Sequence, residues 1–166
     1  MKLLTFNVGS YTKRRAAVLA LLADHLPHVC CLQECSLTNG QQHILRQDLQ
    51  SLGYYPLVGS KGLCTVVRDG CNVAPTATLP HDQDFRIQRL ALQLGEHRVL
   101  LRHRHAHSGS AAERRRFDDN LLAENGNLTI DIGDFNERPA QVDADSYAVV
   151  FPDCPTYRLN PAMDSW

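Results

Sequence analysis

The chain has 166 residues, a net charge of −1, 43% hydrophobic and 21% charged residues, which fit one soluble globular domain with a sizeable core. The near-zero charge excludes a global basic field, so a nucleic-acid ligand would have to be held by a local patch. No apolar run approaches the roughly 18 residues of a transmembrane helix, and the apolar start ends at Asn7, too short for a signal-peptide core. These features predict an intracellular protein with no membrane partner.

From the N-terminus, Met1 to Asn7 reads as a strand, with Leu3, Leu4 and Phe6 apolar. Thr12 to His25 reads as an amphipathic helix that places Val18, Leu21, Leu22 and His25 on one face and is ended by Pro27. His28 to Gln33 is a short apolar run suited to a buried strand. Gln41 to Leu52 is a second helix, with Leu45, Leu49 and Leu52 at helical spacing and Gly53 closing it. Leu63 to Arg68, Ile87 to Leu94 and Arg98 to His105 are strand-like runs separated by Gly and Pro. Ala111 to Ala123 reads as a third helix, Leu128 to Ile132 as another buried strand, and Tyr147 to Phe151 as a last one. Strands and helices interleave, and several strands are apolar on both faces, which predicts a layered α/β sandwich. The six cysteines, Cys30, Cys31, Cys35, Cys64, Cys71 and Cys154, form no CxxC pair and read as buried reduced thiols.

The polar residues that could do chemistry stand at strand ends. Asn7 follows Leu3-Leu4-Thr5-Phe6, Glu34 follows Val29 to Gln33, and Asp134 follows Leu128 to Gly133. Strand ends hold side chains rigidly while the loops leave room for a ligand. Carboxylates and carboxamides converging there make a hard-oxygen site suited to Mg²⁺ (or Mn²⁺), which takes one or two carboxylates and fills its other positions with water and phosphate oxygens. Each residue alone is more ordinarily a solvated loop or turn residue; their joint occurrence on three strand ends carries the signal.

His103, His105 and His107 alternate, so a strand puts them on one face. For His103 and His107 an exposed strand position is the ordinary reading, and a zinc site is a rival. Two basic clusters, Lys13-Arg14-Arg15 and Arg114-Arg115-Arg116, follow site-forming strand ends and could contact a phosphate backbone, although a solvated helix face explains each as well.

Several segments together resemble the endonuclease/exonuclease/phosphatase superfamily, including its pancreatic-type deoxyribonuclease, abasic-site endonuclease and tyrosyl-DNA phosphodiesterase groups. Thr5-Phe6-Asn7-Val8 resembles the opening strand that ends in W/F-N, and Pro27 to Glu34 the P-D-x-x-x-L-Q-E element. Ile132-Gly133-Asp134-Phe135-Asn136 resembles G-D-F-N, Arg98 to His105 the strand that ends in a histidine, and Ala162-Met163-Asp164 stands in place of R-I-D-Y. The resemblance implies a four-layer αββα sandwich of two packed mixed sheets. It implies that Glu34 binds the metal and that Asn7 positions the metal or the phosphate. Asp134 would orient or deprotonate the attacking water, Asn136 would hold phosphate oxygens and His105 the scissile phosphate, with His107 as its fallback. Asp164 would complete the catalytic set; from the two basic clusters, and not from the resemblance, Arg14 and Arg114 are the candidates for substrate contact.

The chain departs from the pattern at its end. The family finishes with Ser-Asp-His after the late Asp, whereas this sequence ends at Trp166 without that element. The expectation is a single domain over residues 1–166 lacking the final C-terminal strands: a fragment, a minimal enzyme that recruits His105 or His107, or a degenerate phosphate-binding member. The expected activity is Mg²⁺-dependent hydrolysis of DNA or RNA phosphodiester bonds. The rivals are a phosphatase on an inositol or lipid headgroup, a non-catalytic binding module, and a zinc hydrolase built on the three histidines.

Overall fold

A computed structural model of the chain describes residues 1–76, 86–94, 96–106 and 129–135. The elements in chain order are β1 (Leu3–Asn7), α1 (Tyr11–His25), β2 (Val29–Gln33), α2 (Asn39–Ser51), β3 (Tyr54–Val58), β4 (Cys64–Arg68), β5 (Val73–Pro75), β6 (Ile87–Leu94), β7 (His97–His105) and β8 (Thr129–Asp134). The expected third helix at Ala111 to Ala123 and the strand at Tyr147 to Phe151 lie outside the described residues.

The strands form two mixed sheets, ordered β1-β2-β4-β3 and β5-β6-β7-β8. Each has one parallel pair, β1 with β2 and β7 with β8, and its other pairings are antiparallel. The period of two along β2 explains why it is apolar on both faces. Val29 and Cys31 face the second sheet, packing with Val67, Leu90, Leu92, Val99 and Leu101. Cys30 and Leu32 face the helices, packing with Val18 and Leu22 of α1 and Leu45 and Leu49 of α2. The result is an α/β sandwich: a helical layer on the first sheet and the second sheet on its other face.

Local signals set the helix ends. Thr38 and Gln41 form a capping box at the start of α2, with the Gln41 side chain accepting from the Thr38 N–H at 2.8 Å. Leu26, in the left-handed region at φ 45°, closes α1 by donating its N–H to the Leu22 carbonyl at 2.9 Å. His25, expected on the buried face of α1, is exposed, as is Leu52 just beyond α2. Both fall at helix ends. The two helices are tied by Asp48, which accepts from Tyr11 Oη and from Arg15 Nε, each at 2.7 Å. The Arg15 hydrogen bond is the main reason that the Asp48 carboxyl is held below the usual carboxylate range. Arg15 is thus engaged in the fold, and of the first basic cluster Lys13 is exposed and Arg14 half-buried in the first turn of α1.

Two strands were not expected, β3 and β5. Each carries a proline, Pro56 or Pro75, and among the described residues each lies at a sheet edge, where a missing N–H leaves no ladder bond unmade. Cys30, Cys31, Cys35 and Cys64 are buried free thiols. Burial pushes the Cys31 thiol up to about 12, keeping it protonated. No described helix is long and apolar enough to cross a membrane.

Candidate active site

The two parallel pairs deliver four C-terminal strand ends to one rim of the sandwich. In the first sheet Asn7 lies opposite Gln33, the residue before Glu34; in the second His105 lies opposite Asp134. Among the described residues β1 and β8 are the end strands of different sheets, and they lie against each other, so the rim bridges both sheets.

Asn7 makes the bridge. Its Oδ1 accepts the Gly9 N–H at 3.0 Å, which turns Nδ2 toward the acids. Nδ2 donates to Asp134 Oδ2 at 2.7 Å and to Glu34 Oε1 at 3.2 Å. His105 Nε2 lies 3.4 Å from the same Glu34 oxygen. The Glu34 side chain keeps 22% of its surface exposed against 5% for His105, so the carboxylate can be reached from outside. The structure therefore brings together Asn7, Glu34, His105 and Asp134. Asn136, His107, Arg114 and Asp164 lie outside the described residues, and among the described residues no three His, Cys, Asp or Glu side chains form a ready metal cage.

Backbone geometry at this rim holds the four in place. Glu34, Ser36, Lys61 and Arg86 all have left-handed φ, between 48° and 57°. Such positions cost about 1–3 kcal/mol each and gather at functional sites. The Cys35 N–H donates to the Gly62 carbonyl at 2.8 Å, so the β3–β4 turn braces the Glu34 loop. On the other sheet Gly133 stands opposite Arg104 at φ 147°, and a Cβ there would lie 1.8 Å from the Arg104 carbonyl oxygen. Only glycine lets β8 approach closely enough to set Asp134 beside His105. The Ala106 N–H then donates to the Asp134 carbonyl at 2.8 Å.

His103 corrects the sequence reading. It is fully buried between the sheets rather than exposed. Gln33 Nε2 donates to the Cys31 carbonyl at 3.0 Å and lies 2.8 Å from His103 Nε2. The other ring nitrogen, Nδ1, is 2.9 Å from Thr65 Oγ1; that hydroxyl donates to Gln88 Oε1 at 2.8 Å, and Gln88 Nε2 to the Leu57 carbonyl at 2.9 Å. With the Thr65 proton given to Gln88, His103 must donate from Nδ1 and accept at Nε2, which makes it neutral. Burial, with His105 nearby, pushes its pKa down to about 3. Both ring nitrogens are committed, so His103 has no lone pair free for zinc.

Two contributors escaped the sequence. Gln33 lies in the matched motif yet received no role, and Arg86 follows no motif at all. Arg86 Nη1 reaches His105 Nδ1 at 3.3 Å, and its carbonyl accepts the His105 N–H at 3.2 Å. A polar residue just before a strand is too common a pattern to have marked it.

Two mixed sheets packed face to face, with a carboxylate-lined rim at converging strand ends, define an α/β sandwich with a polar site at its rim. The model of the Endonuclease/Exonuclease/phosphatase family matches residues 4–148, and the chain belongs to that family. Among solved structures it is similar to an AP endonuclease from Archaeoglobus fulgidus, at 20% identity and a TM-score of 0.58 over 84% of this chain and 58% of that one. It is similar to the 3′-5′ exonuclease NExo from Neisseria meningitidis, at 26% identity and a TM-score of 0.56 over 84% and 59%. A humanised D. rerio TDP2 aligns at 16% identity and a TM-score of 0.61 over 84% and 68%. The chain thus spans less than two thirds of the length of the first two. A comparison with curated proteins finds no match.

Proposed function

We propose that this chain hydrolyses phosphodiester bonds of DNA or RNA with the help of a divalent cation, Mg²⁺ or Mn²⁺. The observation that carries this is the single Asn7 carboxamide donating to both Glu34 and Asp134 across the two sheets, with His105 beside them. The names of the similar structures, two of them nucleases, support a nucleic-acid substrate.

The donor set fits such a cation. Glu34 offers a partly exposed carboxylate oxygen, and Mg²⁺ needs few protein ligands because water and phosphate fill the rest. Glu34 would hold the ion, and Asn7 serves it by fixing the carboxylate through Nδ2. When bound, the ion would neutralise charge on a non-bridging phosphate oxygen and on the leaving group. The protein residues do the rest. Asp134, kept as an acceptor by the Asn7 N–H, accepts a hydrogen bond from the attacking water and takes its proton as the new O–P bond forms in line with the bond that breaks. His105 donates a hydrogen bond to the phosphate as charge develops. Asn136, next but one after Asp134, holds a phosphate oxygen, and Asp164, His107, Arg14 and Arg114 complete the proposed substrate and catalytic set.

The test is cleavage of labelled single- and double-stranded oligonucleotides, DNA and RNA, with Mg²⁺, Mn²⁺ or EDTA, including a 3′-phosphorylated end. Metal-dependent cleavage lost in Glu34→Ala and in Asp134→Ala is the expected result. Activity that survives both changes overturns the assignment.

A further inference from the structure

We propose that Arg86 is a positioning residue that fixes the tautomer of His105, so that this imidazole presents an Nε2–H to the site. The effect on substrate phosphate rests on the function proposed above; the ring state itself does not.

The Arg86 contact sets the protonation pattern. A guanidinium can only donate. Its Nη1 stands 3.3 Å from His105 Nδ1, so that nitrogen must offer a lone pair. A proton on Nδ1 would face a guanidinium N–H head-on. The ring's proton therefore sits on Nε2, which points toward Glu34 Oε1 at 3.4 Å. Arg86 holds the ring at two points, because its own carbonyl accepts the His105 backbone N–H at 3.2 Å. The left-handed backbone of Arg86, at φ 52°, lies where β6 begins and aligns the carbonyl and the side chain on the same partner.

The contrast with the neighbouring histidine makes the assignment specific. His103 and His105 lie on the same face of β7, two residues apart, yet carry their protons on opposite nitrogens. His103 donates from Nδ1 to Thr65, and His105 keeps Nδ1 as an acceptor for Arg86. A carboxylate in the place of Arg86 would hold Nδ1–H and leave Nε2 bare or doubly protonate the ring. With a cation there, His105 works as a hydrogen-bond donor through Nε2 and not as a proton acceptor on that nitrogen.

Long-range ¹H–¹⁵N NMR of the imidazole nitrogens, with His105 assigned by its absence in His105→Gln, reads this directly and without substrate. The expected wild-type pattern is a protonated Nε2 and an unprotonated, hydrogen-bonded Nδ1. In Arg86→Met the Nδ1 signal moves and the second tautomer appears, whereas Arg86→Lys, which can still donate, keeps the wild-type pattern. An Nδ1–H pattern in the wild type, or an unchanged pattern in Arg86→Met, overturns the proposal, and the wild-type spectrum decides even if the variant does not fold. In turnover, Arg86→Met lowers kcat roughly tenfold with KM little changed, and Arg86→Lys restores much of it. A rise in KM alone would make Arg86 a direct substrate contact and overturn the positioning role. If the ring pattern is as expected and no oligonucleotide is cleaved, the Arg86 assignment holds and the nuclease reading falls.

Discussion

His103 should make the protein acid-labile in a way that one substitution removes. The ring is wholly enclosed between the sheets, and its pKa falls from 6.5 to about 3, first because burial disfavours the charged form and then because His105 is close. In the unfolded chain the same ring titrates normally. Below pH 6.5 the unfolded state therefore binds a proton that the folded state refuses, and stability falls with pH until about pH 3. Between pH 7 and pH 5 the loss from this one group is about 2 kcal/mol, at close to 1.4 kcal/mol per pH unit once the unfolded ring is protonated. In His103→Gln the term vanishes. The variant loses hydrogen bonds to Gln33 or Thr65 and should be less stable at pH 7 by about 1–3 kcal/mol. Its stability should then change less on acidification, so the two proteins converge near pH 5. Urea unfolding at pH 7, 6 and 5 measures this, and the carboxylates common to both proteins cancel in the difference. A gap between wild type and variant that stays constant from pH 7 to 5 would refute the buried neutral histidine.

Three other perturbations test the frame around the site. Gly133→Ala places a Cβ 1.8 Å from the Arg104 carbonyl oxygen and should cost at least about 3 kcal/mol in unfolding free energy, with loss of activity; a variant of wild-type stability would show that β8 is not so closely apposed to β7. Asp131 binds the buried Arg102 through two bonds, at 2.9 and 2.6 Å, so Asp131→Ala takes both bonds and the counter-charge from a buried guanidinium and should destabilise by about 3 kcal/mol in urea, a loss under about 1 kcal/mol being inconsistent with burial of the pair. Thr38→Ala removes the capping box of α2 and should lower stability by about 1 kcal/mol without altering catalytic rate, measured by thermal unfolding beside the cleavage assay.

The parts legible in sequence were those that a local pattern enforces. The apolar runs at Val29 to Gln33, Ile87 to Leu94 and Arg98 to His105 announced strands, and Gly53 and Pro27 closed helices. Asn7, Glu34 and Asp134 stood out because each follows such a run. His105 was legible for the same reason and by its resemblance. What escaped depends on long-range neighbours. Pro56 and Pro75 argue locally against strands and are tolerated because β3 and β5 form sheet edges, which no local window reveals. His103 read as exposed because a polar residue in an alternating strand usually faces water; it faces Gln33 and Thr65, from strands some seventy and forty residues earlier. Arg86 was invisible because its role exists only once β6 and β7 pair in register.

The site and the inter-sheet polar chain form one construction. Gln33 immediately precedes Glu34, and His103 precedes His105 by two residues on the same face. The bonds from Gln33 through His103 and Thr65 to Gln88 join strands of both sheets. Two apolar sheet faces alone could slide past each other at small cost, since the hydrophobic effect has no direction. Sliding here would strand buried amide, imidazole and hydroxyl groups, each at about 1–3 kcal/mol. The polar chain thus penalises any offset between the sheets. Because Asn7 and Glu34 belong to one sheet and His105 and Asp134 to the other, such an offset would also separate the groups that Asn7 bridges. A buried histidine that touches no substrate can in this way govern the spacing of those that are proposed to.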